Sequence, residues 1–460
     1  MPPLTISEKI QQLRAYFNSG ATRSYEFRRQ QLKSLGQSIK QHEDAIHKAL
    51  YTDLKKSPEE SWVTETGLVL SEIGFTLKRL KKWMLPQPAG TNLVNFPSSS
   101  YVMYEPMGVV LIMGAWNYPF QLVIAPLVSA IAAGNCVVLK PSEHAPATAA
   151  VMKTLIRSAF PDQVVLCVEG DGAEVVPLMM NNFRFDHVFY TGGGVVGKLI
   201  YKMAAEQLVP VTLELGGKSP AIVESDADIK IAAKRIAVTK FSNAGQMCIA
   251  PDYVLVHASQ KDALVSALEE TIRSFYSDDP SSDYNYGKII NQKQFNRLAA
   301  YLKQGRILHG GRTDADAHYI EPTIMDQVPA DTPLMNEEIF GPILPILTFE
   351  HETEVLQQVT LHPNPLALYL FTGNKKKESW YLGNIAFGGG CVNNASWHFT
   401  NPHLPFGGRG SSGIGAYHGK AGFDTFSHRK AIMKTPAWFD PAVKYPPFKG
   451  KLNLFKKIIR

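Results

Sequence analysis

His187-Val-Phe-Tyr-Thr-Gly192-Gly-Gly194-Val-Val-Gly197-Lys198 is the stretch on which the fold class turns. An apolar run, a cluster of glycines and the start of a helical pattern follow one another directly. That order reads as strand, tight turn and helix, with backbone amides at the helix N-terminus suited to a pyrophosphate. The letters satisfy the dinucleotide fingerprint G-x-G-x-x-G, and Glu214 follows about twenty residues on, where a ribose-binding acid belongs. A tight turn that only packs a helix onto a strand satisfies the same letters, so the ligand stays open. A P-loop does not fit. Leu199, after Gly197-Lys198, lacks the hydroxyl that magnesium needs, and Gly217-Lys218-Ser219 carries Thr212 where the leading glycine belongs.

Working outward, apolar runs at Val109–Met113, Cys136–Leu139, Val164–Val168 and Val209–Leu215 read as further buried strands. Helix-length segments at 119–133, 143–159, 172–181 and 194–207 separate them. Strand–helix alternation of this kind indicates an α/β fold with a parallel sheet, which binds ligands at the carboxyl ends of its strands. A second alternating region has runs at Tyr253–Val256, Ile343–Leu347 and Leu366–Phe371, with helices at 261–276, 291–304 and 352–360. The first eighty residues show helical spacing, Pro86-Gln-Pro-Ala-Gly-Thr-Asn reads as a linker, and His398–Gly415 reads as a long irregular loop. Leu122–Leu139 approaches membrane-span length, but Pro126, Gly134 and Asn135 break it into helix, turn and strand.

The 460 residues suggest two or three domains, and at 45% hydrophobic and 19% charged the chain reads as a soluble globular protein. The 35 glycines and 30 prolines follow no period, which excludes collagen and low complexity. Four cysteines form no CxxC pair, so neither a metal site nor a disulfide framework is expected, and reduced thiols in a cytoplasmic setting are. The start lacks the basic and apolar regions of a secretory signal. All of the net charge of +6 resides in residues 444–460, whose six Lys/Arg meet no acid. A net charge this small does not imply a nucleic-acid partner, and none is expected. Leu452, Phe455 and Ile459 would share one helical face there, a basic amphipathic end suited either to an anionic membrane surface or to solvent.

Cys248, in Phe241-Ser-Asn-Ala-Gly245-Gln-Met247-Cys248-Ile-Ala-Pro251, is the candidate nucleophile. Cys136 and Cys167 sit within apolar strands, and Cys391, in Gly388-Gly-Gly-Cys391-Val-Asn393, reads as lying on a loop. Val211-Thr-Leu-Glu214-Leu-Gly216-Gly217 puts a carboxylate at a strand end, where burial raises it toward general-base range. Gly114-Ala-Trp116-Asn117-Tyr118-Pro119 puts an amide at another strand end, where it can donate to an oxyanion. Read singly, these are an inert thiol, a solvent-facing acid and a turn residue.

Together and in this order they resemble the aldehyde dehydrogenase superfamily over almost the whole chain. Glu214-Leu-Gly-Gly-Lys-Ser-Pro is similar to its glutamate motif, Gly245-Gln-Met-Cys248 to its cysteine motif and Glu337-Glu338-Ile-Phe340-Gly-Pro to its nicotinamide-ribose motif. Gly410-Ser-Ser-Gly413-Ile-Gly415-Ala-Tyr417-His418-Gly419-Lys420 resembles the class 3 branch, which includes fatty aldehyde dehydrogenases. The resemblance implies oxidation of medium- to long-chain or other apolar aldehydes with NAD, NADP being usable, by a homodimer. It implies Cys248 as nucleophile, Glu214 as base and Asn117 with the Cys248 amide as oxyanion hole. Cofactor contacts would come from Trp116, Lys140, Glu143, Gly192, Gly193, Gly197, Leu215, Glu338 and Phe340, and the substrate pocket from Tyr118, Met247, Asn393 and Phe406. The implied division is a cofactor domain over 1–85 and 104–213, a catalytic domain over 214–395, bridging segments over 86–103 and 396–430, and a tail over 431–460. Two departures stand out: the family's usual hydroxyl is missing at Gly193 or Gly194, and Met247 replaces a threonine common in class 3. A CoA-acylating dehydrogenase and a non-catalytic structural or membrane-binding member are the alternatives; Glu214 disfavours the first and the intact trio disfavours the second.

Overall fold

The computed structural model describes residues 5–459. Five strands form a parallel sheet in the order Val211–Glu214, His187–Thr191, Val109–Met113, Cys136–Lys140, Val165–Cys167, and Gly413–Ile414 adds an antiparallel edge. Both faces are buried, as the unbroken apolar runs require. Val110 and Ile112 enter one core while Val109, Leu111 and Met113 enter the other, the period-two alternation of a strand covered on both sides. The fully buried helix Gln121–Ala133 ends at Gly134, whose φ of 94° favours glycine, and Arg28 caps it by donating to the Ala132 carbonyl at 3.1 Å. No helix among the described residues is long and apolar enough to cross a membrane.

After Glu214 the chain passes through 215–219 straight into a seven-stranded sheet. Its order is Arg306–His309, Thr323–Asp326, Ile343–Phe349, Tyr253–His257, Pro220–Val223, Ala367–Phe371, Gly389–Val392, parallel except at the first pair. A third sheet pairs Gln87–Ala89 and Ser427–Lys434 with the two sides of Ser99–Pro106, so segments more than 300 residues apart lie edge to edge.

Several local readings change. Pro86–Asn92 is not wholly a linker, since Gln87–Ala89 forms an edge strand, where Pro88 costs no ladder bond. Cys391 lies on an edge strand rather than a loop. Its glycines serve close approach: a Cβ at Gly390 would sit 2.2 Å from the Leu368 carbonyl oxygen of the neighbouring strand.

Candidate active site

In the first sheet the strand order reverses between Val109–Met113 and His187–Thr191. A crevice opens beyond the carboxyl ends of two strands at such a switch point. The segments that leave those ends, Ala115–Asn117 and Thr191–Gly193, line one wall of a cavity of about 510 Å³. Leu215, Glu338 and Phe340 line the opposite side, and the Trp116 and Phe340 rings meet edge to face at 5.1 Å. Gly193 immediately precedes the helix Gly194–Glu206, so free backbone amides face this space. Gly216 admits Glu338: a Cβ there would stand 1.9 Å from the carboxylate oxygen.

Asn117 is 2% exposed and fixed from several sides. Its backbone carbonyl accepts from Lys56 Nζ at 3.1 Å and from Asn243 Nδ2 at 2.7 Å, and its own Nδ2 donates to the Gln246 carbonyl at 3.0 Å. One side-chain N–H therefore remains to donate elsewhere. Lys56 and Glu65, both without solvent exposure, form an ion pair at 2.6 Å. Glu65 then accepts from the amides of Phe120 and Gln121 at 2.9 and 3.0 Å, and Lys56 Nζ lies 3.8 Å from the centre of the Tyr118 ring. The pair thus grips both ends of the 117–121 loop.

Cys248 follows a turn in which Asn243, Ala244 and Gly245 all take left-handed conformations, with φ of 52°, 49° and 74°. Strain of this kind persists where surroundings over-determine it. Here the Gln246 side chain donates to the Asn243 and Lys288 carbonyls and accepts from the Ile290 amide. The Cys248 thiol is raised well above its ordinary pKa, by burial first and then by the carboxylates of Glu338 and Glu214, while the amides of Cys248 and Ile249 act in the opposite sense. Glu214 is 3% exposed, neither of its carboxylate oxygens has a hydrogen-bond partner, and burial holds its pKa far above the usual range. Glu338 is pushed up to about 8, by burial and then by the Asp252 carboxylate. The cavity therefore rests as a largely neutral thiol among carboxyls that resist ionisation.

A second cavity, of about 300 Å³, reaches Cys248 from the other side. Tyr118, Leu122, Met247, Ile249, Phe399 and Phe406 contribute to its mostly apolar wall. Cys248 and Leu122 belong to both cavities, so the thiol stands at their junction.

The sequence-predicted residues divide accordingly. Cys248, Glu214, Asn117, Trp116, Gly192, Gly193, Leu215, Glu338 and Phe340 meet in the larger cavity, and Tyr118, Met247 and Phe406 in the apolar one. Lys140 and Glu143 lie outside both, as an ion pair at 2.6 Å beyond the carboxyl end of Cys136–Lys140. Gly197 packs its helix instead; a Cβ there would come within 2.8 Å of Leu215. Asn393 lines neither cavity, because its amide is committed to both backbone groups of Thr372.

The family model described as the aldehyde dehydrogenase family matches residues 5–432. The chain belongs to the aldehyde dehydrogenase family. It is 46% identical to 4,4'-diaponeurosporen-aldehyde dehydrogenase of Staphylococcus aureus, over 99% of both chains. It is 42% identical to the dimeric NADP-preferring aldehyde dehydrogenase of Rattus norvegicus, over 97% of this chain and 99% of that one. Among solved structures, the substrate-bound state of Staphylococcus aureus AldH superposes with a TM-score of 0.97, at 45% identity and full coverage of both chains. An NAD+ complex of an aldehyde dehydrogenase from Bacillus cereus superposes with a TM-score of 0.83, at 26% identity, over 93% of this chain and 88% of that one. As an aldehyde dehydrogenase, the protein oxidises aldehydes.

The structure adds residues that sequence reading did not reach. Lys56 lies in the 55–57 connection between two helices and Glu65 in the helical stretch Trp62–Thr66, and only tertiary contact shows them buried. Arg297, Gln294 and Glu337 join the larger cavity, and Trp397, Tyr417 and His418 the apolar one. Glu337, Tyr417 and His418 stand inside segments similar to family motifs, but nothing in the sequence aims their side chains into a cavity.

Because the thiolate is the nucleophile, alkylation tracks its fraction. In the ligand-free dehydrogenase, peptide-mapped iodoacetamide labelling of Cys248 should accelerate about tenfold per pH unit between about pH 7 and 9. Glu214→Gln should label faster only toward the alkaline end of that range, where an ionised Glu214 would oppose the thiolate. A rate flat across that range would show the thiolate already formed.

Proposed function

We propose that this aldehyde dehydrogenase converts medium- to long-chain or other apolar aldehydes to carboxylic acids, using NAD in preference to NADP. The observation that carries the reading is the position of Cys248, one face toward an apolar cavity and the other toward a glycine-lined one. An apolar chain buried in the first brings its carbonyl carbon to the sulfur. The similarity to a diaponeurosporen-aldehyde dehydrogenase supports an extended apolar substrate.

The larger cavity fits a dinucleotide: Gly192 and Gly193 open a helix N-terminus to a pyrophosphate, and Glu338 would take the nicotinamide ribose hydroxyls, with Trp116 and Phe340 beside the ring. Lys140 and Glu143 would take the adenosine ribose. Burial works to raise the Glu143 pKa, but Lys140 and the Gly172 amide outweigh it, so the carboxylate is held below its usual range. An ionised acid there repels a 2′-phosphate, and it already neutralises Lys140, the cation that would attract one.

In the reaction, the Cys248 sulfur bonds to the carbonyl carbon as its proton passes to solvent water and the carbonyl π pair moves onto oxygen. The free Asn117 N–H and the Cys248 amide donate to the oxyanion of the thiohemiacetal. Bound NAD supplies the hydride acceptor. Loss of hydride from the carbon leaves a thioester on Cys248. Glu214, once ionised, takes a proton from a water whose oxygen adds to that thioester, and the acid leaves as the thiolate departs. Since the base must be deprotonated and its pKa is raised, hydrolysis speeds up as pH rises. The water-activating carboxylate of Glu214 beside Cys248 favours hydrolysis over transfer to a thiol.

A homodimer forms part of the proposal, supported by the open edge of Ser427–Lys434 and by the dimeric relative from rat. So does contact of the tail with an anionic membrane surface. Leu452 and Ile459 are 62% and 69% exposed, Phe455 packs on Phe448, and Lys456 and Lys457 flank them on the helix Leu452–Ile458.

In rapid-mixing experiments with an alkanal and NAD, Cys248→Ala should give no NADH, whereas Glu214→Gln should give one equivalent per site and then turn over at least about 100-fold more slowly than wild type. An undiminished burst in Cys248→Ala would refute the nucleophile. The tail is tested separately by sedimentation with phosphatidylserine vesicles: the full chain should pellet and residues 1–443 should stay in solution. Equal pelleting would remove the tail from the account.

A further inference from the structure

A niche of about 30 Å³ branches from the apolar cavity, bounded by Glu72, Gln121, Thr400, Tyr417 and His418. Gln121, Thr400, Tyr417 and His418 also line the main cavity, so the niche is its side branch. A space of this size and polarity accommodates one water or one hydroxyl group. Its chemistry contrasts with the apolar wall it opens from.

Two of its groups are held firmly with hydrogen-bonding capacity in reserve. Glu72, from the helix Gly67–Met84, accepts from the Gly419 amide at 2.8 Å, and its carboxyl is raised by burial against that bond. His418 stacks on Phe406 at 5.5 Å and 27°, and meets the Tyr417 ring edge-on at 4.3 Å. Its backbone holds a φ of 78°, rare for a residue with a side chain, and Gly419 beside it tolerates no Cβ, which would lie 2.1 Å from the Pro402 carbonyl oxygen. The ring is therefore placed at some conformational cost. Burial lowers the imidazole to about 4, so it is neutral at pH 7, and the Phe399 carbonyl faces it. The buried Nε2 has no partner in the protein, and on a neutral ring protonated at Nδ1 it presents a lone pair. Leaving a buried polar atom unmet is costly, and a ligand hydroxyl would relieve it.

We infer that the niche is a hydroxyl-recognition subsite, through which the enzyme selects apolar aldehydes that carry a hydroxyl group along the chain. The hydroxyl donates to His418 Nε2 and lies beside the Glu72 carboxyl. An unsubstituted alkanal leaves the niche to a water, so the discrimination is an exchange of one polar guest for another. The inference rests on the apolar-aldehyde reading above and sharpens it.

The test compares kcat/KM for an alkanal with that for its monohydroxylated counterparts, the hydroxyl being moved stepwise along a chain of fixed length. Wild type should prefer one positional isomer over the parent alkanal by about tenfold. In His418→Phe, which keeps the ring stack and loses the acceptor, that ratio should fall to about one. Because the readout is a ratio of two substrates in one protein, a general loss of folded enzyme does not alter it. No preferred isomer in wild type, the niche then holding only water, would overturn the subsite; so would a preference that survives His418→Phe. Failure to oxidise the alkanal at all would instead sink the apolar-aldehyde reading, and the subsite with it.

Discussion

The buried ion pair of Lys56 and Glu65 is the constraint on which the site depends. Neither side chain touches solvent, so each charge has lost its hydration and survives only through the other and through the backbone groups around them. Those groups belong to the 117–121 loop: the Asn117 carbonyl, the Phe120 and Gln121 amides and the Tyr118 ring face. The loop is thereby fixed to the N-terminal helices rather than left to the sheet that it leaves. Asn243 and Gln246 then tie it to the left-handed turn before Cys248, so amide donor and sulfur are positioned as one unit.

The electrostatics of the unit are those of a resting enzyme. Burial and two neighbouring carboxyls oppose thiolate formation at Cys248, and burial alone opposes ionisation of Glu214. A permanently charged thiolate would be exposed to oxidation and side reactions, from which a neutral thiol is better protected. The same burial that withholds reactivity makes Glu214 a stronger base once it does ionise. The two cavities meeting at one sulfur complete the arrangement, because each ligand can enter without displacing the other.

Much of this was legible in the sequence, and for identifiable reasons. Strands such as Val109–Met113 and Tyr253–His257 are buried on both faces and so write themselves as continuous apolar runs. Pro220–Val223 and Gly389–Val392 were missed because a proline or glycines, needed for close approach, interrupt that signal. Motif residues at strand ends, Asn117 and Glu214 among them, were legible through the family resemblance, and the switch-point topology carries them to one crevice. Lys56 and Glu65 could not: a charged residue in a polar helical region reads as solvated until packing against the 117–121 loop removes the water. The resemblance alone implies Asn393 as a pocket residue, yet its amide serves the Thr372 backbone.

The claim that the ion pair sets the oxyanion donor is tested most directly by kcat of Glu65→Gln with a saturating alkanal, NADH formation being followed beside the unfolding free energy in urea. The account predicts a fall in kcat of at least about 100-fold, the scale of one lost oxyanion contact. It also predicts a fold that survives but is weakened by about 3–5 kcal/mol, as an uncompensated buried ammonium requires. Wild-type turnover in a variant whose stability is unchanged would contradict it.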